Sequence, residues 1–170
     1  LFATQPTVDA SGVLRFTPAP DMIGVATVTV IAQDDGGVAD GGVDISASQT
    51  FTISVTPVND SPSFVVGADQ TVLEDSALAS VAGWATGIDV GPSDEDGVQS
   101  LLDFVVSNDN NGIFAVQPAV DGAGVLTFTP AVDAVGVAAV TIAAQDDGGV
   151  ADGGVDQSPD QTFTITITAV

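Results

Sequence analysis

Carboxylates dominate the reactive side chains of this chain: 23 acidic residues stand against a single basic one, Arg15, and there is no His, Cys or Tyr. They come in pairs. Asp34 and Asp35 lie in AQDDGG, Asp146 and Asp147 lie in a second copy of that hexapeptide, Asp94 and Asp96 flank Glu95 in SDEDG, and Asn59 precedes Asp60 in VND. Adjacent carboxylate and amide oxygens next to glycines suit a hard divalent cation. Calcium takes six to eight oxygen ligands at about 2.3 to 2.6 Å, and glycine lets the backbone turn sharply enough to add its own carbonyls. Two carboxylates about 4 Å apart repel by roughly 4 kcal/mol at an effective dielectric near 20, so such pairs call for a counter-charge. A single Asp-Gly is ordinary turn chemistry. The pairs are not explained that way.

A formal net charge of -22 repels nucleic acid and anionic membrane surfaces, and self-repulsion strains the folded state in a way that bound cations relieve. Without Cys no disulfide can staple the chain, and without Lys no Lys-Asn isopeptide can either; the lack of Cys leaves the compartment open. No apolar run reaches the roughly 18 to 20 residues needed to span a bilayer, so no membrane insertion is expected in this segment. Acid-base catalysis would rest on carboxylates alone, as in a glycosidase pair. No nucleophile motif is present, and Asp-Gly loops at a domain end are a poor substitute for a cleft. The reading is non-enzymatic.

The elements that must position these acids repeat. AQDDGGVADGGVD occupies residues 32–44 and again 144–156, and about 40 of the first 58 residues recur about 112 positions later. A period of that length is one compact domain, not a solenoid rung. The division expected is therefore the C-terminal half of one unit at 1–58 and a complete unit at 59–170. Alternation such as Phe51, Ile53 and Val55 against Thr50, Thr52 and Ser54 reads as half-buried antiparallel strands. In the second unit strands are expected near 64–66, 70–73, 81–85, 101–106, 113–116, 125–129, 137–144 and 162–168. About seven strands with turns between them fit an all-β Greek-key sandwich. The first 58 residues cannot close such a sandwich alone. Preceding residues, or strands from another chain, are expected to complete it.

VNDSPSF at 58–64, LED at 73–75, SDEDG at 93–97, the L-F-TPA-D-G pattern and AQDDGG occur in that order within one period. Together they resemble the cadherin-like, immunoglobulin-like tandem repeats of very large bacterial surface proteins. The resemblance covers the whole chain. It implies tandem immunoglobulin-like Greek-key β-sandwiches, an extracellular or cell-surface location, and service in a stalk, adhesin or fibre. It also implies calcium at the junctions between repeats.

In such a sandwich the linker and two loops meet at one end, which would bring Asn59, Asp60, Asp94, Asp96, Asp146 and Asp147 together. Glu74 matches the family's early glutamate and would serve the following junction, while Asp34 and Asp35 belong to the preceding one. The family linker carries an acid where this chain has Pro57 and an Asn where it has Ser61, so one or two ions per junction are expected and not three. Partners would be neighbouring repeats of the same chain or identical subunits in a filament, together with cell-surface or matrix glycans. An alternative function is a carbohydrate-binding module built on Trp84 and an acidic loop, although a lone Trp reads first as core. SNDNNG at 107–112 lacks the closing Glu of an EF-hand and reads as a hairpin turn.

Overall fold

The computed structural model describes residues 1–170 and divides into two compact units, Leu1–Pro57 and Val58–Val170. The first holds β1 (Phe2–Val8), β2 (Leu14–Pro18), β3 (Gly24–Val30) and β4 (Gln49–Val55). They form two separate antiparallel hairpin-like pairs, β1 with β2 and β3 with β4. Little is covered: Ile53 is the one buried hydrophobic residue of this unit.

The second unit runs through β5 (Ser63–Val65), β6 (Gln70–Leu73), β7 (Ala79–Val81), β8 (Thr86–Asp89), β9 (Leu101–Asn108), β10 (Phe114–Val120), β11 (Leu126–Pro130), β12 (Gly136–Asp146) and β13 (Gln161–Thr168). It is all-β. One sheet has the order β6-β13-β12-β9 and a second has β10-β11-β7, with β5 and β8 as a short separate pair. Every contact is antiparallel except β6 on β13. Several sheets around one core are the arrangement a β-sandwich needs, and the inward residues form a single cluster. Phe64 packs edge-on to Phe104 with ring centroids 5.1 Å apart, Phe114 to Phe128 at 6.0 Å, and Trp84 lies 4.3 Å from Phe163.

Of the stretch 81–85, expected as a strand, Val81 ends β7 and 82–85 form the turn that leads to β8. Gly83 has φ +63, a left-handed conformation open to glycine, and it reverses the chain there. The reversal drops Trp84 and Ala85 into the core, which is why the segment looked strand-like in composition.

Residues at matching places in the two units fold alike locally and are buried differently. The bulged register Phe2 to Pro18, Thr4 to Thr17, Thr7 to Arg15 of β1–β2 recurs as Phe114 to Pro130, Val116 to Thr129, Ala119 to Thr127 of β10–β11. Yet Phe128 is 0% exposed where Phe16 is 38% exposed, and Leu126 is 0% where Leu14 is 37%. Truncating Phe128 to Ala should therefore lower the unfolding free energy of the second unit by about 3 to 5 kcal/mol, whereas Phe16→Ala should cost less than about 1 kcal/mol. Urea denaturation of both variants checks this; equal losses would mean that Phe16 is covered in solution.

Candidate functional site

Three segments of the second unit meet at the end of the sandwich where β12 finishes: the strand-leading residues 58–60, the turn 92–100 and the loop 146–155. Each is fixed by its own local hydrogen bonding. In the turn, the Glu95 N–H donates to Pro92 O at 2.9 Å, and the Val98 and Gln99 N–H groups both donate to Glu95 O at 3.1 Å. This single helical turn puts Glu95 and Gln99, four apart, on one side. The other loop is set by Asp146, whose N–H donates to Asp156 O at 3.0 Å and whose Oδ1 accepts the Gly148 N–H at 2.9 Å.

Asn59 joins the linker to the loop. Its Nδ2 donates to Asp146 Oδ1 at 3.0 Å, to Gly149 O at 3.0 Å and to Val155 O at 2.9 Å, while its own backbone carbonyl accepts the Val155 N–H at 2.9 Å. Three acceptors around one nitrogen assign the amide's orientation. The carbonyl oxygen Oδ1 must then point the other way. There it has no donor, and it lies beside Gln99 Oε1: a Cβ on Gly148 would collide with both oxygens. Glu95 joins the linker to the turn, with Oε1 accepting the Asp60 N–H at 2.7 Å. Its second oxygen, Oε2, packs where a Cβ on Gly91 would sit, so a side chain added at either glycine would displace these oxygens.

Two carboxylates are thus fully enclosed, Glu95 and Asp146 each 1% exposed, with Asn59 9% exposed between them. Each carboxylate gives one oxygen to protein donors and keeps one without any. The buried oxygens that lack a hydrogen-bond partner are Asn59 Oδ1, Asp94 Oδ1, Glu95 Oε2, Gln99 Oε1 and Asp146 Oδ2. All are acceptors, and all lie in these segments. Buried polar atoms are normally paired, so five unpaired oxygens of one kind call for outside hydrogen-bond donors or a positive partner. The unit cannot supply one, because residues 58–170 contain no Lys, Arg or His. Arg15, in the first unit, is exposed and 3.8 Å from Asp9. No three carboxylates converge as a ready-made metal group. What gathers here is a mixture of amide and carboxylate oxygens.

The residues singled out from the sequence fall into separate places. Asn59, Asp94 and Asp146 belong to this cluster. Asp60 contributes its backbone N–H while its side chain is exposed. Asp96 is exposed and has no hydrogen-bond partner. Asp147 is exposed and ties the two loops directly, its Oδ1 accepting the Ser100 N–H at 2.8 Å and its N–H donating to Ser100 O at 3.1 Å. Glu74 sits beside the end of β13, where Oε1 accepts the Val170 N–H at 3.2 Å. Asp34 and Asp35 are exposed in the first unit, and Asp34 Oδ1 accepts the Gly36 N–H at 2.9 Å, as Asp146 does from Gly148.

Glu95 and Gln99 were not singled out. Their i, i+4 spacing in an acidic loop was the available signal. Trp84 is 4% exposed and donates Nε1–H to Ala68 O at 2.9 Å, which leaves it no face for a sugar to stack on. No protein-family model and no curated protein matches the chain.

Replacing Asn59 by Ala should strip donors from three acceptors at once and lower stability by about 3 kcal/mol. Asp96→Ala should change it by less than about 0.5 kcal/mol. Thermal or urea unfolding of the two variants distinguishes a structural keystone from an acidic surface loop.

Proposed function

We propose that this chain is a structural or adhesive repeat module of an extracellular surface protein or fibre, whose end loops are cross-braced by Ca2+. The module is an immunoglobulin-like, cadherin-like Greek-key sandwich repeating about every 112 residues. The single observation carrying the cation reading is the set of five buried, donorless oxygens in a unit without a basic residue.

Ordered water could hydrogen-bond to these oxygens, but it would leave two enclosed negative charges uncompensated. A divalent cation meets both needs. Mixed amide and carboxylate oxygens on loops favour calcium over the smaller, octahedral magnesium. The ligands proposed are Asn59 Oδ1 and Gln99 Oε1, which meet beside Gly148, with the unpartnered carboxylate oxygens of Asp94, Glu95 and Asp146 supplying negative charge around them. The tandem character is supported by recurrence of the same strand register and the same turn geometry in the two units. Location outside the cell and use as a stalk or fibre follow from the sequence resemblance, as does a non-catalytic role. A chain with no covalent staple gains most from a reversible one.

At free calcium about 100-fold above the dissociation constant, the ion should add roughly 2.7 kcal/mol to the second unit, and EDTA should remove it. Glu95→Gln should weaken calcium binding by at least about tenfold in isothermal titration, whereas Asp96→Asn should leave it unchanged. A melting temperature indifferent to both calcium and EDTA would falsify the cation reading.

A further inference from the structure

Tension that enters the second unit at Val58 and leaves it at Val170 is carried first by two strands. From the entering side β6 is the first strand to join a large sheet, and β13 is the last strand before the chain leaves. The two lie side by side and parallel, with Gln70 opposite Ile165, Thr71 opposite Thr166, Val72 opposite Ile167 and Leu73 opposite Thr168. Direction decides how this seam answers a pull. The pulled chain ends lie at opposite ends of it, so tension slides the strands along their own axes and strains all the ladder bonds together. A seam pulled from one end alone would open bond by bond.

Side chains extend the seam at both ends. Just before the ladder, Asp69 Oδ1 accepts the Thr164 N–H at 2.7 Å. Just beyond it, the Glu74 N–H donates to Thr168 O at 2.8 Å, and Glu74 Oε1 accepts the Val170 N–H at 3.2 Å. The Thr168 hydroxyl donates to Val72 O at 3.4 Å, a further tie across the seam. Asp69 and Glu74 thus continue, with carboxylates, a ladder that the short β6 would otherwise end. Ile165 and Ile167 face inward at 0% and 2% exposed, and Val72 packs against the same core, which keeps water from one face of the seam.

Both ways of opening the unit break this seam. Peeling from Val58 frees Asn59 from Asp146, Gly149 and Val155, then β5 from β8, and then must strip β6 from β13. Drawing β13 out from Val170 must break the same seam together with the β12 ladder on the strand's other side. The sheet β10-β11-β7 lies on neither path. We propose that the β6–β13 seam, with its Asp69 and Glu74 extensions, is a shear clamp that sets the force at which residues 58–170 open under tension. Its use rests on the reading of the chain as a structural module; the clamp itself needs no cation.

The test is single-molecule stretching of the 170-residue chain between handles at its two ends. The second unit is identified by the length its residues release, roughly 3.3 to 3.6 Å each. Because the Glu74 N–H points to β13, the Val72 N–H two places back points the same way and the Thr71 N–H points out from the sheet edge. Val72→Pro should therefore lower the opening force by about half, and Thr71→Pro by less than about a tenth. The paired substitution of Asp69→Ala with Glu74→Ala leaves ladder and core in place; it should lower the force by about a quarter, and it decides the question where Val72→Pro does not fold. Phe128→Ala, off both paths, should lose more stability than that pair in urea yet change the force less. A wild-type force in Val72→Pro or in the carboxylate pair overturns the clamp, as do equal losses for the two prolines. So does a loss for Phe128→Ala as large as theirs, since force would then only follow overall stability. The differences between variants should survive EDTA, so failure of the cation reading leaves them standing, whereas their disappearance on chelation would overturn the clamp in favour of a cation-held end.

Discussion

A polypeptide whose one base is an exposed arginine cannot neutralise carboxylates that it buries. That constraint governs the end of the second unit. Glu95 and Asp146 are enclosed, and the protein answers with dipoles only: the Asp60 N–H, the Gly148 N–H and the Asn59 amide. These donors fix the direction of one oxygen on each carboxylate and bring linker, turn and loop together. They do not cancel charge. The core clustered around Phe128 and Ile142 is apolar and brings no counter-charge to this end.

The same amino acids occur in two surroundings, which separates local encoding from tertiary effects. Turn geometry is local: Asp40 and Asp152 both take left-handed φ near +52 and +55 in identical short helical turns, and Asp21 and Asp133 do so at +54 and +55. Asp tolerates this region because its short side chain can bond to nearby backbone. Burial is not local. Phe16 and Phe128 sit in hairpins of the same register, yet one is exposed and the other sealed, because only the second has β6, β7 and β9 laid beside its hairpins. Strand length follows the same rule, since β12 extends to Asp146 only where β9 offers a ladder.

Much of the fold was legible because a strand with one wet face writes itself as alternation. Alternating patterns located β4, β12 and β13 within a residue or two of their observed bounds. The segment at 81–85 was not legible, because Trp84 and Ala85 are core residues reached through a glycine turn, and apolar composition alone does not distinguish that from a strand. At the site, acid pairs pointed to the loops that enclose Glu95 and Asp146 and missed which side chains face inward. Reading SDEDG as an extended loop makes Asp94 and Asp96 equivalent, whereas the helical turn observed there faces Glu95 and Gln99 inward and turns Asp96 to solvent. Asp147 looked equivalent to Asp146 and is instead occupied with Ser100. Which member of a pair faces inward is decided by backbone dihedrals that adjacent letters do not reveal.

The choice between water and metal at the five donorless oxygens turns on charge and on order. Water can donate two hydrogen bonds, so several molecules would be needed, each with some cost in immobilisation and none able to offset the two carboxylates. Protonating one carboxylate would supply a single donor and remove a single charge, leaving amide oxygens Asn59 Oδ1 and Gln99 Oε1 still facing each other over Gly148. An ion of charge two binds amide carbonyl and carboxylate oxygens alike and needs no donor geometry, which matches a set containing two amides and three acids. Asn59 is the residue whose orientation the protein fixes most firmly. The two hydrogens of its nitrogen are shared among three protein acceptors, so its oxygen faces away from them, and an Asp in its place would lose that donor while adding another negative charge.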